Sequence, residues 1–178
     1  ATYFEDYIAE DREDMIGQVT LSHILDMQSG FEWNEQSEAI SWYTSRSDTW
    51  GYFFQKKVVT EPGSSFNYNS GAVSLLTRFI EKNQALSYSD YADEHLFQPL
   101  GIVDYAWEKD GLGHTRADAG LQLRAIDIGK IGYAMMHEGK LDSKQIVPRE
   151  WINSSWKFEH ELGSNYGAIK NLHYNNLW

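Results

Sequence analysis

One tyrosine in a polar loop is the residue of this sequence best placed to do chemistry. Residues 62–71 read Pro-Gly-Ser-Ser-Phe-Asn-Tyr-Asn-Ser-Gly, with Tyr68 at the centre and a strongly apolar segment behind it. A loop rich in glycine, serine and asparagine that leads into a helix favours a side chain facing a cleft. A phenol has a pKa of about 10, so it acts as a base near neutral pH only where cations stabilise the phenolate. The alternative is a surface tyrosine that packs beneath its own turn, and the loop alone favours that alternative.

Serine, lysine and histidine supply the other candidates. Ser154 and Lys157 match Ser-x-x-Lys, and on a helix they would share one face. They follow the tyrosine loop and lie at a fraying helix end, so we expect a solvated lysine rather than a base. The six histidines form neither His-x-x-x-His nor His-Glu-x-x-His, and therefore no metal site is predicted. With no cysteine in the chain, disulfides and thiol nucleophiles are excluded.

Helical periodicity accounts for the segments that would position the loop. Thr20 is placed to cap a helix that ends at Ser29-Gly30. Apolar residues from Ala72 to Ile80 trace a wide helical face directly after Tyr68. Further helices are predicted after Ser87 or Ser89, from Ile126 to His137, and from Pro148 onward. Strand patterns are sparse, so the sequence predicts a mainly α fold.

Two other segments carry weaker expectations. Residues 35–56 are rich in aromatic side chains and predict short helical stretches. Gly129 and Gly132 lower the intrinsic stability of their helix, which predicts close packing against another backbone.

Five short patterns, in a fixed order over residues 19–152, carry a resemblance to a known family. They are Val-Thr-Leu-Ser-His-Ile-Leu with Ser-Gly at 29–30, the tyrosine loop, Phe-Gln-Pro-Leu-Gly-Ile at 97–102, Gly120-Leu121 with Ala125 to Gly132, and Gln145 to Trp151. Together they resemble the β-lactamase-related serine hydrolases. That family includes class C β-lactamases, penicillin-binding D-alanyl-D-alanine peptidases, esterases and 6-aminohexanoate-dimer hydrolases.

The resemblance implies a fold and a mechanism. The fold has two lobes, one α/β and one all-helical, and residues 1–178 would be a single helical-lobe fragment. A serine attacks an amide or ester carbonyl to give an acyl-enzyme. Tyr68 would carry the serine proton to the leaving group, and Asn69 and Ser70 would contact substrate. The implied partners are a small-molecule amide or ester and the remaining α/β lobe, and neither a metal nor an organic cofactor is expected.

The departures from the family pattern define the alternatives. Its usual Tyr-x-Asn is Tyr68-Asn69-Ser70 here, and Ser70 could bind a different substrate amide or cap the following helix. No Ser-x-x-Lys precedes the loop and no Lys-Thr-Gly or His-x-Gly follows residue 152, which suggests a chain cut at both ends and inactive alone. A non-catalytic helical binding module or a pseudoenzyme remains the second hypothesis. A third makes Ser154 and Lys157 the active pair.

Charge and hydropathy narrow the partners. The formal net charge is −11, from 15 basic and 26 acidic residues, which disfavours nucleic acid and anionic lipid as partners. No run of 18 or more apolar residues occurs, so no transmembrane segment is expected. A soluble protein is expected, and a periplasmic, secreted or cytoplasmic location is equally compatible with this composition.

Overall fold

The computed structural model describes residues 3–12, 14–38, 48–157, 160–161, 168 and 170–177. The chain divides into two compact units. The first unit joins residues 1–88 to 107–120, and the second joins 89–106 to 121–178. The assignment of residues 1–178 to a single helical lobe stays a prediction.

The first unit contains the segments around the tyrosine loop. Its elements are a 3₁₀ helix at Met15–Gln18, α1 at Leu21–Leu25, a helical turn at 35–38, α2 at Thr49–Phe53 and α3 at Ser70–Gln84. Helix α1 begins as predicted, because the Thr20 hydroxyl accepts a hydrogen bond from the His23 amide at 3.2 Å. The His23 ring Nδ1 in turn accepts from the Thr20 amide at 3.3 Å, which completes a capping box.

An aromatic cluster forms the core of the first unit. Phe31 and Phe53 lie with ring centroids 4.5 Å apart, and Trp33 packs on Phe53 with centroids 5.9 Å apart. The side chains of all three are buried. This cluster lies beneath the start of α3, so it fixes the point at which the tyrosine loop enters the helix.

The remaining elements, which lie mainly in the second unit, are helices and short strand pairs. The helices are α4 at Tyr88–Ala92, continued by a π-helical turn at Asp93–Phe97, α5 at Ala125–Met136 and α6 at Arg149–Ser155. The strands are β1 at Tyr105–Trp107, β2 at Leu121–Leu123, β3 at Lys140–Leu141, β4 at Lys144–Gln145, β5 at His160–Glu161 and β6 at His173–Tyr174. They pair as β1–β2, β3–β4 and β5–β6.

The predicted helices are present, although α1 ends at Leu25 and not at Ser29-Gly30. The described residues hold more helix than strand. Residues 39–47 of the aromatic-rich stretch lie outside the described residues. The expectation for Gly129 and Gly132 is wrong, since a Cβ built at either position meets nothing within 4 Å. The reason is that α5 presents these glycines on an open surface among the residues that the structure describes.

Candidate functional site around Tyr68

Main-chain hydrogen bonds hold the tyrosine loop against the segment that follows α1. The Gly63 amide donates to the Gln28 carbonyl at 2.8 Å, and the Asn67 amide donates to the Met27 carbonyl at 2.7 Å. The Asn67 side chain adds a bond from Nδ2 to the Trp33 carbonyl at 3.1 Å. These contacts connect residues more than thirty positions apart, so the shape of the loop depends on tertiary packing.

Met27 is the main anchor of the loop. Its backbone has a φ of 57°, a left-handed conformation that costs a residue with a Cβ roughly 1–2 kcal/mol. The side chain is buried, and its sulfur accepts a hydrogen bond from the Asn69 amide at 3.3 Å. Met27 therefore contacts the residues on both sides of Tyr68, and this packing compensates the backbone strain.

The two neighbours Tyr68 and Asn69 have opposite environments. The Tyr68 side chain is 47% exposed, whereas Asn69 is 0% exposed. The anchors on either side turn the backbone so that the phenol faces outward and the amide faces the core. The exposure agrees with a side chain that faces away from the core, whereas a position at a cleft and a catalytic role remain predictions.

Asn69 caps the helix behind the loop. Its Oδ1 accepts a hydrogen bond from the Ala72 amide at 2.9 Å, which satisfies one of the free N–H groups of the first turn. The cap is thus Asn69, and the suggestion that Ser70 fills this position is wrong. The Asn69 Nδ2 is buried, with no hydrogen-bond partner among the residues that the structure describes. The side chain is therefore positioned to hold the helix start and not to reach solvent.

Ser70 is bound to a carboxylate that the sequence reasoning missed. Glu35 Oε2 accepts from the Ser70 amide at 3.1 Å, and Glu35 Oε1 accepts from the Ser70 hydroxyl. The Trp33 indole N–H also donates to Glu35 Oε2, at 2.7 Å. A carboxylate at a helix N-terminus is favoured by the helix dipole. Glu35 lies two residues after Trp33, but no motif in the sequence links this glutamate to Ser70.

Gly71 lets α3 approach the aromatic core closely. A Cβ at this position would lie 2.6 Å from Phe53 Cδ2 and 2.7 Å from the Trp33 ring. The helix start, with Tyr68 just before it, is therefore seated directly on buried rings. A glycine is required here for space, since α3 has ordinary helical geometry at this point.

The second unit has an ionic cluster around a buried aspartate in the Gly-Leu…Asp…Gly segment. Asp127 is buried and accepts hydrogen bonds from Arg124 Nε at 2.6 Å and Lys130 Nζ at 2.8 Å. Lys130 also donates to the Gly101 carbonyl at 2.6 Å. The bonds from Arg124 and Lys130 lower the pKa of Asp127 to about 2. This aspartate ties the start of α5 to the turn after the π-helix, which is a structural role.

The pair Ser154 and Lys157 shows none of the contacts of an activated serine. The Ser154 hydroxyl donates to the Trp151 carbonyl of its own helix at 2.8 Å. Lys157 lies beyond the end of α6 and is exposed. A backbone carbonyl cannot accept the proton as a base, so this geometry favours a surface role for both residues.

Within the described part of the chain, no group of three or more His, Cys, Asp or Glu side chains is arranged to hold a metal ion. In the same residues, the structure contains no helix both long and apolar enough to cross a membrane.

Comparison with known proteins assigns the family. A sequence profile described as Beta-lactamase matches residues 3–131. The chain belongs to the Beta-lactamase family. The matched range includes the tyrosine loop and most of the five patterns that carry the resemblance. The resemblance of the sequence to this family is therefore confirmed.

Solved structures share the fold of this Beta-lactamase family chain. A protein of Bacillus anthracis described as a 6-aminohexanoate-dimer hydrolase is 23% identical, with a TM-score of 0.76 over 97% of this chain and 50% of that protein. A penicillin-binding protein of Bacillus halodurans is 16% identical, with a TM-score of 0.68 over 90% of this chain and 56% of that one. An octameric penicillin-binding protein homologue of Pyrococcus abyssi is 20% identical, with a TM-score of 0.67 over 88% and 42%.

These structures are all less than 25% identical and establish the fold alone. The chain spans about half the length of these similar proteins. No match was found among curated protein sequences.

Proposed function

We propose that this chain supplies the tyrosine side of a serine hydrolase active site that cleaves an amide or ester through an acyl-enzyme. The observation that carries the proposal is the presentation of Tyr68. Its side chain is half exposed while Asn69 beside it is fully buried, and hydrogen bonds to Met27 secure the residues on both sides. Such anchoring, which includes a strained backbone at Met27, is common where function requires a side chain to keep a fixed position.

The proposed chemistry moves one proton through Tyr68. A serine oxygen bonds to the substrate carbonyl carbon as its proton passes to the tyrosine oxygen, and the same proton then reaches the leaving amine or alcohol as the C–N or C–O bond breaks. Water hydrolyses the acyl-enzyme by the same route in reverse. The phenol must be a phenolate when it accepts the proton, and nearby cations would make that possible by lowering its pKa.

Asn69 and Ser70 take different parts in this proposal. Ser70 is only partly buried and contacts substrate, as predicted from the motif. Asn69 is fully buried, so we assign it the positioning of Tyr68 and Ser70 through the helix cap.

The partner of this chain in the proposal is the α/β lobe of the same protein. Large apolar side chains of α5 are exposed to solvent: Ile126, Ile128, Tyr133 and Met136. Several exposed apolar side chains on one helix are typical of a surface that another element covers. The lobe would also bring the serine and the lysine whose motif does not precede the tyrosine loop in this sequence.

The test compares the complete gene product that carries this chain with residues 1–178 alone. Purified samples are assayed with p-nitrophenyl esters, p-nitroanilides and a chromogenic β-lactam, and mass spectrometry follows acyl-enzyme formation. We expect turnover by the complete product, a loss of about 10²-fold or more with Tyr68→Phe, and no turnover by residues 1–178. Wild-type rates in Tyr68→Phe would refute the proton-carrier role.

A non-catalytic binding module is the second candidate. It is favoured by the aromatic content of 15% and the formal net charge of −11, which suit the binding of a peptide, a glycan or a cationic partner. A complete gene product that binds such a substrate but never forms an acyl-enzyme would support this candidate over the hydrolase.

A further inference from the structure

We propose that Glu35 and Ser70 form an acceptor-only subsite beside Tyr68, which selects substrates bearing a hydrogen-bond donor and above all a protonated amine. This inference rests on the proposed function, because it takes Ser70 as a substrate contact. It adds a residue, Glu35, and a substrate feature that the motif does not specify.

The donors of Ser70 are already used. A serine residue offers a backbone N–H and a single hydroxyl proton. Its backbone N–H donates to Glu35 Oε2 at 3.1 Å, and its hydroxyl donates to Glu35 Oε1. Only lone pairs of the Ser70 hydroxyl oxygen therefore remain for a ligand, and an ionised Glu35 offers lone pairs alone.

Glu35 also differs from Glu38 in whether a nearby cation pairs with its carboxylate. Glu38, one turn further along, forms an ion pair with Lys56 at 2.7 Å. Among the residues that the structure describes, Glu35 forms no ion pair with a lysine, arginine or histidine. The dipole of α3 offsets part of its charge, but no described lysine, arginine or histidine neutralises it.

These contacts determine which substrate groups the subsite would favour. An ammonium or amide N–H placed near Ser70 gains a charge-assisted or neutral hydrogen bond. A carboxylate or carbonyl oxygen in the same place meets only acceptors and a negative charge, which is unfavourable. An asparagine at position 70 would offer both a donor and an acceptor, so this selectivity is specific to the serine–glutamate pair.

The catalytic test uses the complete gene product and three series of p-nitroanilides. The acyl chain of each series ends in an amino, a methyl or a carboxyl group, and each series covers several chain lengths. The variants are Glu35→Gln and the matched control Glu32→Gln. Glu32 is an exposed acid on the same segment, so the control makes the same charge change away from Ser70.

We expect wild type and Glu32→Gln to favour the amino over the methyl substrate about tenfold in kcat/KM, which corresponds to 1.4 kcal/mol. Glu35→Gln should lose this preference and improve on the carboxyl substrate relative to the methyl substrate. The wild-type preference should weaken with added salt. An equal fall on all three substrates in Glu35→Gln would mean a structural role only and overturn the inference.

A binding arm keeps the inference testable apart from turnover. Hexylamine and hexanol are titrated into isotope-labelled protein, with backbone amide shifts of the tyrosine loop as the readout. Tighter binding of hexylamine that Glu35→Gln abolishes and Glu32→Gln preserves supports the subsite even if no substrate is hydrolysed. Equal binding of the two probes by wild type overturns it, whereas absent turnover with selective amine binding overturns only the proposed function.

Discussion

Replacing Gly71 by alanine tests whether close packing at the start of α3 holds the tyrosine loop. The added Cβ would lie 2.6 Å from Phe53 Cδ2 and 2.7 Å from Trp33, well inside the roughly 3.5–4.0 Å at which carbon atoms attract. The two rings are 0% and 6% exposed. They cannot turn into solvent to make room, so the helix start itself must shift.

Two opposing free-energy terms decide whether Gly71→Ala stabilises or destabilises the protein. Alanine in place of glycine inside a helix ordinarily stabilises by roughly 0.5–1 kcal/mol. Overpacking of a tight core costs about 1–3 kcal/mol. We therefore expect Gly71→Ala to lower the free energy of unfolding by about 1–2 kcal/mol, since the contact lies with ring carbons on two sides.

The matched controls are Gly129→Ala and Gly132→Ala in α5, where an added Cβ meets nothing within 4 Å. Measured on residues 1–178 without the α/β lobe, these variants should gain roughly 0.5–1 kcal/mol. Urea unfolding followed by hydrogen exchange reads the amides of α3 and α5 separately, which keeps the two units distinct. If Gly71→Ala proves as stable as wild type while the controls gain stability, the packing argument is wrong.

Three further predictions address the cap, the loop anchor and the buried aspartate. Asn69→Ala should destabilise α3 by about 1 kcal/mol through loss of the cap, and Asn69→Ser, which keeps a capping oxygen, should stay nearer to wild type in urea unfolding. Asn67→Ala removes the bond to the Trp33 carbonyl, so amide exchange at Tyr68 should accelerate about fivefold, as expected for loss of about 1 kcal/mol, and unchanged exchange would argue against this anchor. Because its hydrogen bonds lower the pKa of Asp127 to about 2 from an unfolded value of about 3.9, the stability it contributes is present above pH 4 and lost between about pH 4 and pH 2. Melting temperatures over that range should fall more steeply for wild type than for Asp127→Asn, and parallel curves would contradict the assignment.

The helices were predictable because each depends on residues near one another in the sequence. Thr20 and His23 form their capping box within one turn, and the apolar face of α3 repeats at helical spacing. The exposed position of Tyr68 was also predicted, from the polar loop that carries it. The choice of Asn69 over Ser70 as cap was not, since both residue types cap helices well.

The prediction of close packing at Gly129 and Gly132 was wrong for a related reason. Glycine in a helix indicates either close packing or simple tolerance, and sequence spacing cannot separate the two. The same limit applies at Gly71, where close packing does occur. Only the position of the neighbouring rings distinguishes these glycines.

By itself, the sequence determined the family, the helices and the candidate Tyr68, because motifs and helical periodicity are local properties of a chain. The tertiary structure alone decided which groups surround that tyrosine. Met27 lies 42 residues before Asn69 and Glu35 lies 35 residues before Ser70, and such contacts follow from packing rather than from spacing. For that reason the contact between Glu35 and Ser70 became visible only in the fold.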